Sequence, residues 1–239
     1  YDAAISPNGN IPVHAFNLIS PTFFANSSTG NKYSLWVNVY GVSERYLNVY
    51  GEKDLRAQMN QFFHRTYTHP VDGTTLDMKM LCNWYWYDET AILETGKGTK
   101  DWNFYRYAET LLSAAEAIAQ SSGVNAEAAG YLAQVKARAN MEGKDVSTIA
   151  SELQRLGKQA FIEECWKERL REFPLEMKIW DDCVRTGKFP QISATNKGEV
   201  QFVDLIGATN GSGAKFKETD LYWPIPVNEI QRNPNLTQN

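Results

Sequence analysis

Residues Glu163 to Lys188, EECWKERLREFPLEMKIWDDCVRTGK, interleave apolar and charged residues at a helical period, too regularly for a loop. Glu164, Glu168 and Glu172 stand four residues apart and share one helix face, where like charges repel by about 0.2–0.5 kcal/mol per pair. The fold must therefore place cations opposite that face. Arg169, Arg171 and Arg185 are the local candidates, because a planar guanidinium holds a carboxylate through two parallel hydrogen bonds. The spacing reads as a packed ion network, interrupted at Pro174, where proline removes a backbone donor and clashes with the preceding turn.

Helices lead into this run. Tyr105, Ala108, Leu112, Ala115 and Ala119 recur at three- and four-residue steps and predict a helix that ends at Gly123, a residue free to take the left-handed cap. Ala126 to Met141 predicts a second, with Ala129, Leu132, Val135 and Ala139 on one stripe. Two alanine-rich helices joined by a short glycine turn resemble a tetratricopeptide-type hairpin. A third helix is expected from Ser147 through Phe173, buried on more than one side because its apolar series slips near Phe161, and a shorter one from Leu175 to Val184 stops at Gly187. Before residue 100 the pattern is looser: loops over 1–32, a β-rich Leu35 to Tyr40, a short helix over Asp54 to Phe63, and one or two strands over Thr74 to Tyr87. Residues 190–219 read as including an exposed loop at 208–213, and Leu221 to Pro226 as extended. The expected fold is mostly α, with tetratricopeptide-like helical hairpins and a loop-rich subdomain containing short strands. Its divisions are 1–100 (ligand-binding subdomain), 101–189 (helical scaffold) and 190–239 (extended segment on the scaffold).

A chain of 239 residues is long enough for a sizeable core. Its net charge of -4 supplies no broad basic field, so neither nucleic acid nor an anionic lipid surface is an expected partner. Three widely spaced cysteines, Cys82, Cys165 and Cys183, fit neither a disulfide framework nor a zinc pattern and read as buried thiols. No metal or cofactor site is expected. His14, His64 and His69 lack the spacing of a helical ligand pair, and Asp72-Gly73 with Asp77 lacks the alternating acids of a calcium loop. Glycoside hydrolysis needs two carboxyls about 5–10 Å apart across one bond. Glu172 and Glu176 come that close only if the helix passes Pro174 unbroken, and ion pairing is the simpler use for them.

Three blocks carry a family resemblance. They are Arg106-Tyr107-Ala108-Glu109 with Leu111-Leu112 and Ala115-Glu116-Ala117; Glu168-Arg169, Glu172-Phe173, Glu176, Trp180, Asp182 and Arg185 to Lys188; and the ending Pro224-Ile225-Pro226, Glu229-Ile230, Asn233 to Leu236 and Gln238-Asn239. In this order they resemble the SusD/RagB family of nutrient-binding outer-membrane lipoproteins. The chain departs from the family run at Met177, where glycine is usual, and at Ile179, where arginine is usual. The resemblance implies a non-catalytic protein on the extracellular face of the outer membrane, held by a lipid anchor outside this chain. Such a protein captures a nutrient, most often an oligosaccharide or polysaccharide, for import by a SusC-like TonB-dependent transporter. It also implies that this chain is the C-terminal part of a longer one. Capture of peptides, a structural adaptor of the transporter and a glycoside hydrolase stay as alternatives.

Twenty of the 30 aromatic residues lie in residues 1–107. A sugar ring has an apolar C–H face and a polar edge, so a flat aromatic side chain with nearby amides and carboxylates suits it. The expected ligand residues are Trp36, Tyr40 and Tyr33, in the part where the resemblance places the binding face, together with Trp84 and Trp86. Side chains alternate along a strand, so within Trp84 to Tyr87 one pair of rings would face the core.

Overall fold

The computed structural model describes residues 43–70, 73–85, 87, 89, 103–174, 176–233 and 235–237. Four helices make its centre: α1 (Tyr107–Ser122), α2 (Ala126–Ala137), α3 (Val146–Leu153) and α4 (Lys158–Glu172). Their stop and start signals are chemical. Gly123 takes φ 83° at the end of α1, the Asn125 side chain accepts from the Ala128 amide at 2.8 Å to cap α2, and Asp145 does the same for Thr148 at the head of α3. α1 packs on α2 and α4, and α2 on α3. Where α1 and α2 meet, Ala115, Ala119, Ala128, Ala129 and Ala133 are buried, and their small side chains let the backbones approach. Leu112, Leu132 and Phe161 fill the space between, each contributing about 1.5–3 kcal/mol of burial. The helical-hairpin expectation holds here.

The expected third helix is two. α3 ends at Leu153 and Gly157 opens α4, so the apolar series that slips near Phe161 belongs to two helices with separate axes. α4 stops at Glu172 because Pro174 disfavours helical geometry at Phe173, whose φ and ψ are -121° and 44°. The next helix, α5 (Ile179–Thr186), starts four residues later than expected, since Met177 sits at φ 61° and no helix can run through it. Gly187 at φ 65° closes α5.

Two antiparallel ribbons flank the helices: β1 (Phe63–Thr68) with β2 (Thr75–Asn83), and β3 (Lys188–Ile192) with β4 (Val200–Asp204). The second lies mostly in the stretch expected as an extended segment on the scaffold, where the sequence predicts no strand. Its strands are short and carry Pro190, which a two-stranded ribbon tolerates because each strand has a free edge. The helix expected over Asp54 to Phe63 shrinks to a 3₁₀ turn, Leu55–Ala57, and Asn60 at φ 64° ends the possibility of more. A second core joins these parts, with Val49, Tyr50, Phe63, Leu81, Leu170 and Val200 buried together. No helix among the described residues is long and apolar enough to cross a membrane. A short helix, α6 (Val227–Arg232), follows Pro226 near the end.

Candidate functional site

Each of the three glutamates on the acidic face of α4 meets at least two cations, although the buried Glu168 Oε1 accepts no hydrogen bond. Glu168, 1% exposed, lies 2.9 Å from Arg56, 3.2 Å from Arg171 and 3.8 Å from Lys136. Glu172 receives Arg56 and Arg106 at 3.0 Å and Arg138 at 2.8 Å. Glu164 pairs with Arg171 at 3.0 Å and with Lys136. Burial pushes the Glu168 carboxyl up, but the charges of Arg56, Lys136 and Arg171 outweigh it and leave the group at about 2. Of the three cations expected from the sequence, Arg171 belongs to this network. Arg169 and Arg185 serve a neighbouring one, with Arg169 on Asp182 at 2.7 Å and Glu109 at 3.4 Å, and Arg185 on both oxygens of Glu116 at 2.8 Å.

Glu172 and Glu176 do come together across the broken helix. The agent is Arg106, the residue before α1, which reaches Glu172 at 3.0 Å and both Glu176 oxygens at 2.7 Å. Both carboxylates are buried, and the same guanidinium lies over the Phe173 ring with its carbon 4.9 Å from the centroid. A hydrolytic acid pair needs a sugar between its members; here an arginine occupies that place. Fixing the turn after α4 is what this geometry does.

Of the expected ligand residues, Trp36, Tyr40, Tyr33 and Trp86 lie outside the described residues. Trp84 follows directly on β2 and is half-buried. Its ring stacks on His64 of β1, with centroids 4.1 Å apart and planes at 11°, and on Tyr87 at 4.6 Å and 16°. Tyr67 tilts against both Trp84 and Tyr87, and its hydroxyl lies 3.2 Å from that of Tyr87. The alternation argument fails at this point for a simple reason. β2 ends at Asn83, and the Tyr87 amide donates to the Trp84 carbonyl at 3.1 Å, so a turn rather than a strand carries the two rings to one side. Burial lowers the His64 pKa, which favours the neutral imidazole in the stack.

A further group of aromatics was not singled out from the sequence. Trp180 of α5 and residues 219–224 line an open groove of about 550 Å³, in which Tyr222 is 62% and Trp223 93% exposed. The signal available in the sequence was two aromatics directly before Pro224-Ile225-Pro226, since prolines hold such a pair extended rather than letting it fold into a core.

The SusD family model matches residues 26–239, nearly nine-tenths of the chain. The chain belongs to the SusD family. Over 135 residues, 56% of this SusD-family chain and 20% of the relative, it is 34% identical to the starch-binding protein SusD of Bacteroides thetaiotaomicron. A SusD superfamily protein from Parabacteroides distasonis superposes with a TM-score of 0.73 at 29% identity, over 95% of this chain and 46% of that one. Surface glycan-binding protein A from Bacteroides uniformis does so with 0.59 at 20% identity, over 100% and 54%, and speaks to the fold alone. The chain thus spans about half the length of these solved relatives and a fifth of the curated one. Met177, where the resemblance leads one to expect glycine, has the left-handed backbone that glycine adopts most readily, at φ 61°.

Proposed function

We propose that this SusD-family protein captures an oligosaccharide or polysaccharide at the cell surface without cleaving it, and presents it to a SusC-like TonB-dependent transporter. The 34% identity to a starch-binding protein carries the reading and makes an α-glucan the first ligand to try. In this reading the protein sits on the extracellular face of the outer membrane through a lipid anchor outside the present sequence. The glycan rests on Trp36 and Tyr40, with Tyr33, Trp84 and Trp86 around it. Stacking against C–H faces uses rings that lose little rotamer freedom on binding, and several weak contacts along a chain of sugars add up while still allowing release. The deep ionisation of Glu168 suits a scaffold better than a proton donor, since a general acid must hold its proton near neutral pH.

The test is calorimetric titration of the intact protein with maltoheptaose, beside a polysaccharide array. Saturable binding that weakens in Trp36→Ala, with an unchanged circular dichroism spectrum, supports the proposal. Failure of every sugar to bind while peptides bind would replace the glycan with a peptide. Turnover of any of these sugars, abolished by Glu172→Gln, would make the protein an enzyme. Complex formation with the transporter in the absence of any measurable ligand would leave only an adaptor.

A further inference from the structure

The C-terminal aromatic groove shares no lining residue with the hairpin cluster, and it belongs to a chain that spans about half the length of its solved relatives. Trp180 packs against Phe216, with centroids 5.6 Å apart, and Phe216 packs against Phe189 of β3 at 5.1 Å. Phe216 is itself fixed, since its carbonyl accepts from the Gly207 amide at 2.8 Å and its amide donates to Ala208 at 3.0 Å. Trp180 is therefore backed by a braced row of rings. The opposite wall is a 3₁₀ turn, Glu218–Leu221, tightened by the Asp220 carboxylate accepting from the Lys217 amide at 2.8 Å, and it continues into Tyr222, Trp223 and Pro224. Trp223 stands 93% in water beside an exposed phenol. An indole so placed gives up apolar burial that any contact on its face would recover.

The edges of the groove are polar. Thr219 and Asp220 are exposed on the same wall, a hydroxyl and a carboxylate next to ring faces. Ring faces for C–H surfaces, flanked by groups for hydroxyls, are what a pyranose requires. The volume, about 550 Å³, falls in the range of small-ligand clefts. No lysine or arginine lines it, so an anionic ligand finds no countercharge there.

We propose that Trp180, Tyr222 and Trp223, with Asp220 and Thr219 at the edge, form a second carbohydrate subsite, separate from the aromatics of the β1–β2 hairpin. It rests on the glycan-capture reading and extends it: the protein holds a long glycan at two places, so that affinity rises with chain length beyond what one platform gives.

Incorporation of 5-fluorotryptophan into the intact protein gives a resonance for each of the seven tryptophans of this sequence, beside those of any further segment, and Trp180→Phe and Trp223→Phe assign two of them by disappearance. Titration follows with maltoheptaose, laminarihexaose and mannohexaose in turn. The expected result is a saturable shift of the Trp223 and Trp180 signals with at least one sugar, about tenfold weaker binding in Trp223→Ala, and near-normal binding in Trp223→Phe, which keeps a ring. Trp223 is exposed, so its loss leaves the fold intact, and an unchanged melting temperature verifies that. A sugar that binds without moving either signal, and equally well to Trp223→Ala, overturns the subsite while the glycan-capture reading stands. Absence of binding by any sugar removes both. A Trp223 resonance that a soluble paramagnetic agent fails to broaden in the intact protein shows a protein surface in the groove instead, and also overturns the subsite.

Discussion

Glu168→Gln tests the ion network most directly, because glutamine keeps the shape of the side chain and removes only the charge. The carboxylate lies among Arg56, Arg171 and Lys136, and its loss leaves three cations around a neutral amide, one of whose ends is itself a donor. Removing one partner from a buried ion pair costs about 3–5 kcal/mol, which for a chain of this size lowers the melting temperature by roughly 6–20 °C. The pH dependence is the sharper readout. In the folded protein Glu168 titrates at about 2 rather than 4.5, so the unfolded chain takes up this proton first as pH falls. Its contribution is complete above about pH 4.5 and drains away as pH drops toward 2, amounting to about 3 kcal/mol in all. Urea denaturation of wild type and variant at several pH values between 7 and 3 isolates the effect, since the other carboxylates titrate in both. The gap between the two proteins should narrow by about 2 kcal/mol on going to pH 3. A variant as stable as wild type at pH 7, or a gap that stays constant down to pH 3, would refute the account of a charge held ionised by its neighbours.

Three other outcomes follow from the same geometry. Met177→Gly relieves a left-handed backbone at φ 61° and should raise stability by about 1 kcal/mol in thermal melts; a loss would mean that the half-exposed methionine side chain matters more than the strain. Glu172→Ala takes one carboxylate from three arginines at once and should lower stability by about 3 kcal/mol yet leave glycan affinity of the folded fraction unchanged, so a selective loss of binding would move Glu172 into the ligand site. Cys165 and Cys183 are buried free thiols, and burial pushes Cys183 up to about 11 and Cys165 further, so iodoacetamide should label neither at pH 7 until urea unfolds the chain. Peptide mapping after brief native exposure checks this.

Local signals in the sequence were enough wherever one helix sufficed to explain its residues. Alanine spacing and Gly123 predict α1 and an apolar stripe predicts α2, because caps and periodicity act within four residues; the caps at Asn125 and Asp145 form no part of that expectation. The ion network was legible from one side only. Three glutamates on one face announced that cations were needed, but Arg56, Arg106 and Lys136 lie 28 to 116 residues away from the carboxylates they meet and carry no local mark. Gly157 inside an apolar period is compatible with one continuous helix, whereas here it opens a new one. The hairpin aromatics misled for a different reason. Alternation presumes a strand, and the residue at which pairing stops, Asn83, is decided by the partner strand β1. At Tyr222 and Trp223 the prolines that follow set an extended backbone, and the burial of the rings is left to distant residues.

The attachment of residues 44–57 to α4 carries a mechanical consequence. Tyr46 donates to the Leu170 carbonyl at 2.6 Å, Tyr50 to Arg171 at 3.0 Å, and Arg171 returns a bond to Val49 at 2.9 Å. Arg56 then spans Asp54, Glu168 and Glu172, and the Leu55 amide reaches back to Ala139 at 2.8 Å. Prying this segment from the helices would break all of these together and strand opposite charges in a closed interior, so no soft hinge exists along that seam. A pull applied at the 44–57 segment is therefore transmitted to α4 as to one stiff body, and any swing of the molecule as a whole would have to pivot elsewhere.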